Sequence, residues 1–110
     1  MNTYEIERYK TPNGKVPITD WILSMKDHTA LKAVVRRISR LENGNFGDHK
    51  VCSDGVWELR IDVGPGYRIY YGLAGTKLIL LLCGGDKRAQ SSDIFHAVQY
   101  WHDWQRRETE

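Results

Sequence analysis

Hydrophobic and polar residues alternate along the chain in two different periods, which separate predicted helices from predicted strands. In residues 3–9, Tyr4 and Ile6 alternate with polar residues, a pattern typical of a first strand. Pro17 indicates the start of a short amphipathic helix that continues through Met25. A second helix is predicted from apolar residues that recur every three or four positions: Leu31, Val34, Val35, Ile38 and Leu41.

From Val56 onward the period changes to two, which indicates β-strands. Residues 43–55 are rich in Gly, Asn and Asp, and we expect them to form a loop. Two alternating segments, 56–62 and 67–71, are joined by Gly-Pro-Gly and predict a β-hairpin. The run 76–83 is apolar without alternation, as expected of a central strand that is covered on both faces.

A last helix is predicted near the end of the chain, with Ser91 or Ser92 as its cap and Asp93 in its first turn. Its packing stripe contains Ile94, Ala97, Val98, Trp101, and Trp104 or Gln105. The element order predicts an α+β fold, in which a strand and two helices precede a three-strand meander and a C-terminal helix. No repeat or composition shift interrupts residues 1–110, so one domain with a mainly antiparallel sheet is expected.

The composition is that of a globular protein, since 41% of the residues are apolar. Cys52 and Cys83 are too few and too far apart for a disulfide framework, and they indicate reduced thiols. The first residues contain no apolar signal segment, and the longest apolar run, 78–83, is far shorter than the roughly 20 residues of a membrane helix. We therefore expect a soluble cytoplasmic protein without a membrane partner.

The net charge of +2 is modest, but the basic residues are unevenly distributed. Residues 26–40 contain five Lys or Arg and one acid, Asp27. Such a run can be the solvated face of a core helix or a surface that attracts phosphate. In the second case, Arg36, Arg37 and Arg40 are the candidate contacts to an RNA backbone.

The predicted hairpin separates its side chains between two faces. Pairing in one register places an apolar set on one face: Trp57, Leu59, Ile61, Tyr67, Ile69 and Tyr71. The opposite face then carries Glu58, Arg60, Arg68 and Tyr70.

This second face suits a strand of RNA, because arginine binds phosphate through two parallel hydrogen bonds and can stabilise charge that develops during phosphoryl transfer. Tyr70 offers a ring on which a base can stack, and Lys87 and Arg88 add charge after the last strand. The alternative is a solvated face, whose arginines pair with Glu58 and Asp62. The pattern alone supports both interpretations.

The histidines and cysteines do not predict a metal site. His49 and Cys52 are near neighbours, but no CxxC or HExxH spacing is present. His96 and His102 are six residues apart on one predicted helix, and this separation places them on different faces. No metal and no cofactor are expected.

Two segments, GVWELRIDVGPGYRIYYG at 55–72 and ILLLCGGDKRAQSSDI at 79–94, resemble the RelE/ParE superfamily of type II toxins. The similarity is greatest to the branch of HigB-like, phage-derived addiction-module killer proteins. This resemblance implies a helix-turn-helix, HigA-like antitoxin as partner. It also implies ribosome-dependent cleavage of mRNA without metal, in which the ribose 2′-OH attacks the adjacent phosphate.

The resemblance also implies roles for individual residues. Arg68 matches the arginine of the family's "GYR" strand and would stabilise the phosphate, while Lys87 or Arg88 matches a basic position after the last strand. Arg60 would hold phosphate. Glu58 is a hypothetical base only because it shares a face with Arg60 and Arg68, not because of the resemblance. RelE uses a C-terminal tyrosine that has no counterpart near residue 94, so Tyr70 or Tyr100 would have to substitute for it. A ParE-like gyrase inhibitor and a non-catalytic antitoxin-binding module remain alternatives.

Overall fold

The computed structural model describes residues 3–110, which form three α-helices, a short 3-10 turn and a five-stranded sheet. The elements in chain order are β1 (Glu5–Arg8), α1 (Pro17–Ser24), α2 (His28–Leu41), β2 (His49–Ser53), β3 (Val56–Ile61), β4 (Tyr67–Ala74), β5 (Leu78–Asp86), the 3-10 turn (Lys87–Ala89) and α3 (Gln90–Glu108). The predicted α+β class is confirmed.

The sheet has the strand order β1-β5-β4-β3-β2. Strand β1 runs parallel to β5, whereas all other neighbouring strands are antiparallel. The sheet is therefore mixed but mainly antiparallel, and β3, β4 and β5 form the predicted meander. β5 lies between β1 and β4, which confirms its prediction as an interior strand.

The prediction of a continuous loop over 43–55 is wrong, because His49–Ser53 forms the edge strand β2 and pairs with β3. Most side chains of β2 are exposed, so the strand lacks the apolar alternation on which the prediction depended. A usable signal was nevertheless present. Asp54 and Gly55 both have positive φ, at 49° and 86°, and Asp-Gly is a preferred dipeptide of two-residue hairpin turns.

The sheet is covered on both faces, which creates two core layers. The layer beneath α1 and α2 contains the buried residues Ile18, Val34, Leu41, Leu59, Ile61, Ile69, Tyr71, Ile79 and Leu81. The layer beneath α3 contains Tyr9, Val56, Tyr70, Leu80, Leu82, Cys83, Ala97 and Trp101. Helix α2 begins after Asp27, whose carboxylate accepts hydrogen bonds from the backbone N–H groups of Thr29 and Ala30.

Helix α3 begins differently from the prediction. The side chain of Asp86 accepts hydrogen bonds from the N–H groups of Arg88 and Ala89, so it caps the 3-10 turn that leads into α3. Ser91 and Ser92, the predicted caps, lie inside the helix instead. The predicted packing stripe is confirmed by the burial of two of its members, Ala97 and Trp101.

The other end of α3 is tied to the segment that follows β1. Tyr9 donates a hydrogen bond from its hydroxyl to Asp103 Oδ2 at 2.6 Å, and Arg107 lies 2.7 Å from the same oxygen. Arg107 also donates to the backbone oxygen of Lys10 at 2.6 Å. These contacts fix the C-terminal part of α3 to the segment that follows β1.

No helix within residues 3–110 combines the length and the hydropathy needed to cross a lipid bilayer.

The close approach of α3 to the sheet depends on glycine in β4. A Cβ atom built at Gly72 would overlap the indole ring of Trp101. We expect Gly72→Ala to lower the free energy of unfolding by about 1–3 kcal/mol, because the indole has to move out of a packed layer. Urea denaturation measures this loss.

A Trp101→Leu background provides the control, since the smaller side chain leaves space above Gly72. The cost of Gly72→Ala should largely disappear in that background. An equal cost in both backgrounds would contradict the steric explanation.

Candidate functional site

Basic side chains from three adjacent strands converge on one buried carboxylate. Glu58 on β3 is fully buried, and its Oε2 atom accepts a hydrogen bond from Arg68 Nε at 3.0 Å. Its other oxygen, Oε1, lies 3.6 Å from both Arg60 Nε and Lys50 Nζ, which is within ion-pair distance. We call Lys50, Glu58, Arg60 and Arg68 the Glu58 cluster.

The sheet register brings these residues together. Arg60 and Arg68 are directly paired positions of β3 and β4, and Glu58 lies opposite Lys50 on one side and Tyr70 on the other. The predicted division of the hairpin side chains between an apolar face and a polar face is therefore confirmed. Since alternate residues of a strand share one face, all five side chains belong to the face that α3 covers.

The cluster carries more positive charge than its carboxylate neutralises, because three cations surround one anion. Side-chain exposure increases towards the edge strand, from 13% for Arg68 and 36% for Arg60 to 54% for Lys50. The buried carboxylate thus contacts the Nε atoms of Arg60 and Arg68 and the ammonium of Lys50, and the cluster keeps an excess of positive charge.

An open cavity of about 240 Å³ adjoins the cluster at the turn of the β3–β4 hairpin. Its wall contains three cations, Arg60, Arg68 and Lys87, and two acids, Asp48 and Asp62, together with Tyr67, Ile61 and the turn Gly64-Pro65-Gly66. We call it the hairpin cavity. The backbone N–H of Lys87 donates to the carbonyl of Gly66 at 3.0 Å, so the 3-10 turn is fixed against the hairpin.

Glu58 lies on the predicted face but is enclosed by protein. Besides Arg68, its Oε2 atom is 3.5 Å from Nε2 of Gln90 on α3. A carboxylate in this position cannot reach a substrate in the hairpin cavity. Its geometry fits a positioning role, in which it sets the orientation of the Arg68 guanidinium.

Tyr70 is also fully buried, so its ring cannot provide the surface for base stacking that the sequence suggested. Burial raises the pKa of its hydroxyl, and the negative charges of Glu58 and Asp93 raise it further. Tyr70 therefore remains protonated at neutral pH. An accessible ring is provided instead by Tyr67, which lies half-buried in the wall of the hairpin cavity.

The basic residues of α2 lie on the other side of the sheet from the Glu58 cluster, because α2 packs on the opposite face. Arg37 uses its guanidinium to bind the backbone oxygens of Arg60 and Phe46, at 2.6 and 2.9 Å. Burial lowers the pKa of this group. Arg36 and Arg40 are exposed and do not line the hairpin cavity, so the candidate RNA contacts are divided between two surfaces.

Of the two basic candidates after β5, Lys87 lines the hairpin cavity and Arg88 does not. Arg88 is 87% exposed and pairs with Asp86 at 3.0 Å. Hydrogen bonding to Arg88 lowers the pKa of the Asp86 carboxyl, which also caps the 3-10 turn.

Sequence reasoning missed Lys50, Asp48 and Tyr67 as site residues. Lys50 and Asp48 fell in the predicted loop, and Tyr67 was assigned to the apolar face of the hairpin. Within residues 3–110, no three His, Cys, Asp or Glu side chains are grouped closely enough to hold a metal ion. His49 instead contacts the carbonyl oxygen of Gly47 through Nδ1, at 2.9 Å.

Comparison with known proteins identifies a relative. No protein-family model matches the chain. An "Uncharacterized protein" of Haemophilus influenzae is 48% identical to this chain over 77 residues, which represent 70% of this chain and 78% of the relative.

The Glu58 cluster generates a prediction about stability. We expect Glu58→Gln to lower the free energy of unfolding by roughly 3 kcal/mol, because the half-buried Arg68 and Arg60 lose the charge that compensates them. Glu7→Gln on β1 makes the same chemical change at an exposed position and should stay within about 0.5 kcal/mol of wild type. Chemical denaturation measures both, and equal losses would contradict the assigned role of Glu58.

The buried hydroxyls and thiols predict loss of stability in alkali. Burial, with help from Asp103, raises the pKa of Tyr9 from 10.0 to about 12. Burial likewise raises the pKa of Tyr71 to about 12 and that of Cys83 from 9.0 to about 12. The unfolded chain therefore loses these protons first as the pH rises.

The stability that these groups contribute should consequently be present below pH 9 and should be lost between about pH 9 and pH 12. Urea denaturation at a series of pH values measures the slope. Tyr9→Phe should reduce the slope above pH 10, and a profile that stays flat to pH 12 would contradict the prediction.

Proposed function

The chain belongs to the same family as this Haemophilus influenzae protein, and we propose that it is the toxin of a type II toxin–antitoxin pair. We infer that it is a HigB-like member of the RelE/ParE superfamily that acts in the cytoplasm. Its activity in this proposal is the cleavage of mRNA on the ribosome, and its partner is a helix-turn-helix antitoxin.

One observation carries the proposal: Arg60, Arg68 and Lys87 line a single open cavity, and two of them are oriented by the buried carboxylate of Glu58. Donors that are held in place before the substrate arrives stabilise developing negative charge without a cost of reorganisation. A solvated surface would not need a buried carboxylate to orient its arginines.

In the proposed reaction, the 2′-oxygen of a ribose attacks the adjacent phosphorus, and the bond from phosphorus to the 5′-oxygen breaks. The products are a 2′,3′-cyclic phosphate and a free 5′-OH, and the proton moves from the 2′-OH to the leaving oxygen. Arg68 would bind the non-bridging oxygens as their charge increases, and Lys87, which lines the same cavity, would assist. Proton transfer would involve neither Glu58 nor Tyr70, since protein encloses both.

A second candidate function is inhibition of DNA gyrase, as in ParE-like toxins. It is favoured by the same burial, because Glu58 and Tyr70, which share a sheet face with Arg60 and Arg68, are both enclosed by protein. In that case the Glu58 cluster would be a docking surface for a protein.

Primer extension on a defined mRNA, with and without programmed ribosomes, tests the proposal. We expect the protein to cut the mRNA only when ribosomes are present. Arg68→Ala should reduce the cleavage rate about a hundredfold to a thousandfold, which corresponds to the loss of one preorganised donor at ~2.7–4 kcal/mol. Lys87→Ala should also reduce cleavage, and it preserves the hydrogen bond from the backbone N–H of residue 87 to the carbonyl of Gly66.

Lys77→Ala is the matched control, because Lys77 is an exposed cation in the β4–β5 turn, at the opposite end of β4 from the hairpin cavity. Circular dichroism and thermal melting confirm that each variant is folded. The proposal fails if folded, antitoxin-free protein makes no cuts, or if Arg68→Ala and Lys87→Ala cleave like wild type. Inhibition of gyrase by that protein would then support the second candidate.

A further inference from the structure

The hairpin cavity contains two acidic side chains that a phosphate site does not explain. Asp48 and Asp62 line the same wall as Arg60, Arg68 and Lys87. Carboxylates repel phosphate, so a cavity that bound only the RNA backbone would be weakened by them. Their presence indicates a ligand that offers hydrogen-bond donors as well as negative charge.

Both carboxylates are available to a ligand. Within residues 3–110, neither the Asp48 nor the Asp62 side chain takes part in a hydrogen bond or an ion pair. Both residues are exposed. The backbone of Asp48 is nevertheless fixed, because its carbonyl accepts a hydrogen bond from the N–H of Arg60 at 2.9 Å. The lining of one cavity therefore contains both hydrogen-bond acceptors and donors.

The cavity also has a surface for a flat ring. Tyr67 and Pro65 contribute apolar area beside the charged groups. Nucleobases stack on tyrosine, and the volume of about 240 Å³ is on the scale of one nucleotide rather than several. The combination of ring, acceptors and cations matches a base with its attached phosphate.

Among the bases, guanine fits this combination best. Its N1–H and N2–H₂ groups form a pair of parallel donors that a carboxylate accepts with both oxygens. Its O6 and N7 atoms form a pair of acceptors that suits an arginine. Adenine and cytosine each offer one amino group next to an acceptor, which a carboxylate cannot satisfy. Uracil has no amino group.

We propose that the hairpin cavity binds one guanine nucleotide. Asp48 and Asp62 accept hydrogen bonds from the donor edge of the base, and Tyr67 stacks on its face. Arg68 and Lys87 hold its phosphate. The assignment of this nucleotide to the RNA substrate rests on the proposed function, whereas its binding to the cavity does not.

Titration of ¹⁵N-labelled protein with 3′-GMP, 3′-AMP, 3′-CMP and 3′-UMP, one at a time and without ribosomes, tests this site by NMR. We expect 3′-GMP to bind at least about fivefold more tightly than the others. The largest shifts should occur at the amides of Gly64, Gly66 and Lys87. Equal Kd values for the four nucleotides, or no binding at millimolar concentration, would overturn the proposal.

Asn variants test the two acids directly. In Asp62→Asn and Asp48→Asn, an amide NH₂ replaces one acceptor oxygen and faces the donors of guanine. The preference for 3′-GMP over 3′-AMP should decrease in at least one single variant and disappear in the double variant. Asp20→Asn, an exposed site on α1, should keep the wild-type preference. A double variant that retains the preference for 3′-GMP would show that these two carboxylates do not select guanine.

The ribosome assay separates this inference from the proposed function. Selective binding of 3′-GMP by protein that makes no cuts would support the guanine site and contradict the proposed nuclease activity. Cuts without guanine selectivity in the titration would retain the nuclease and overturn the site.

Discussion

The buried carboxylate of Glu58 is the constraint on which the rest of the site depends. Transferring an ion from water to the protein interior costs several kcal/mol, and nearby opposite charges at good geometry must offset this desolvation penalty. Arg68 provides a hydrogen bond at 3.0 Å, and Arg60 and Lys50 provide two further cations at 3.6 Å. Folding itself therefore fixes the position of the arginines before any ligand binds, and it leaves an excess of positive charge at the surface.

Helix α3 produces the burial that makes this constraint effective. It approaches the sheet closely because β4 and β5 present glycines beneath it: Trp101 packs over Gly72, and Asp93 lies against Gly85. A register shift between Tyr70 and Tyr71 accompanies this packing, and it leaves Leu82 and Cys83 in the same core layer. The polar groups of the sheet are thus divided into an enclosed set under α3 and an open set at the end of the hairpin.

This division assigns separate tasks to side chains that are neighbours in the sequence. The enclosed Glu58 orients Arg68, and the enclosed Tyr70 packs in the core layer under α3. Arg68, Lys87 and Asp62 line the open hairpin cavity. In the proposed nuclease, cations would serve the phosphate and carboxylates would select the base. Both tasks need a rigid wall, and the bond between Lys87 N–H and the Gly66 carbonyl supplies one by joining the hairpin to the segment before α3.

The sequence by itself determined the elements whose signals are local. Alternation in 56–71 predicted that Arg60 and Arg68 share one face of the hairpin, and the three- and four-residue spacing of apolar side chains predicted α2 and the stripe of α3. Tertiary structure alone decided that Glu58 and Tyr70 are enclosed, that Lys50 joins them from an edge strand, and that Asp48 lines the cavity. The reason is physical: periodicity specifies which face a side chain occupies, but what covers that face depends on α3 and β2, whose packing is set by contacts between distant parts of the chain.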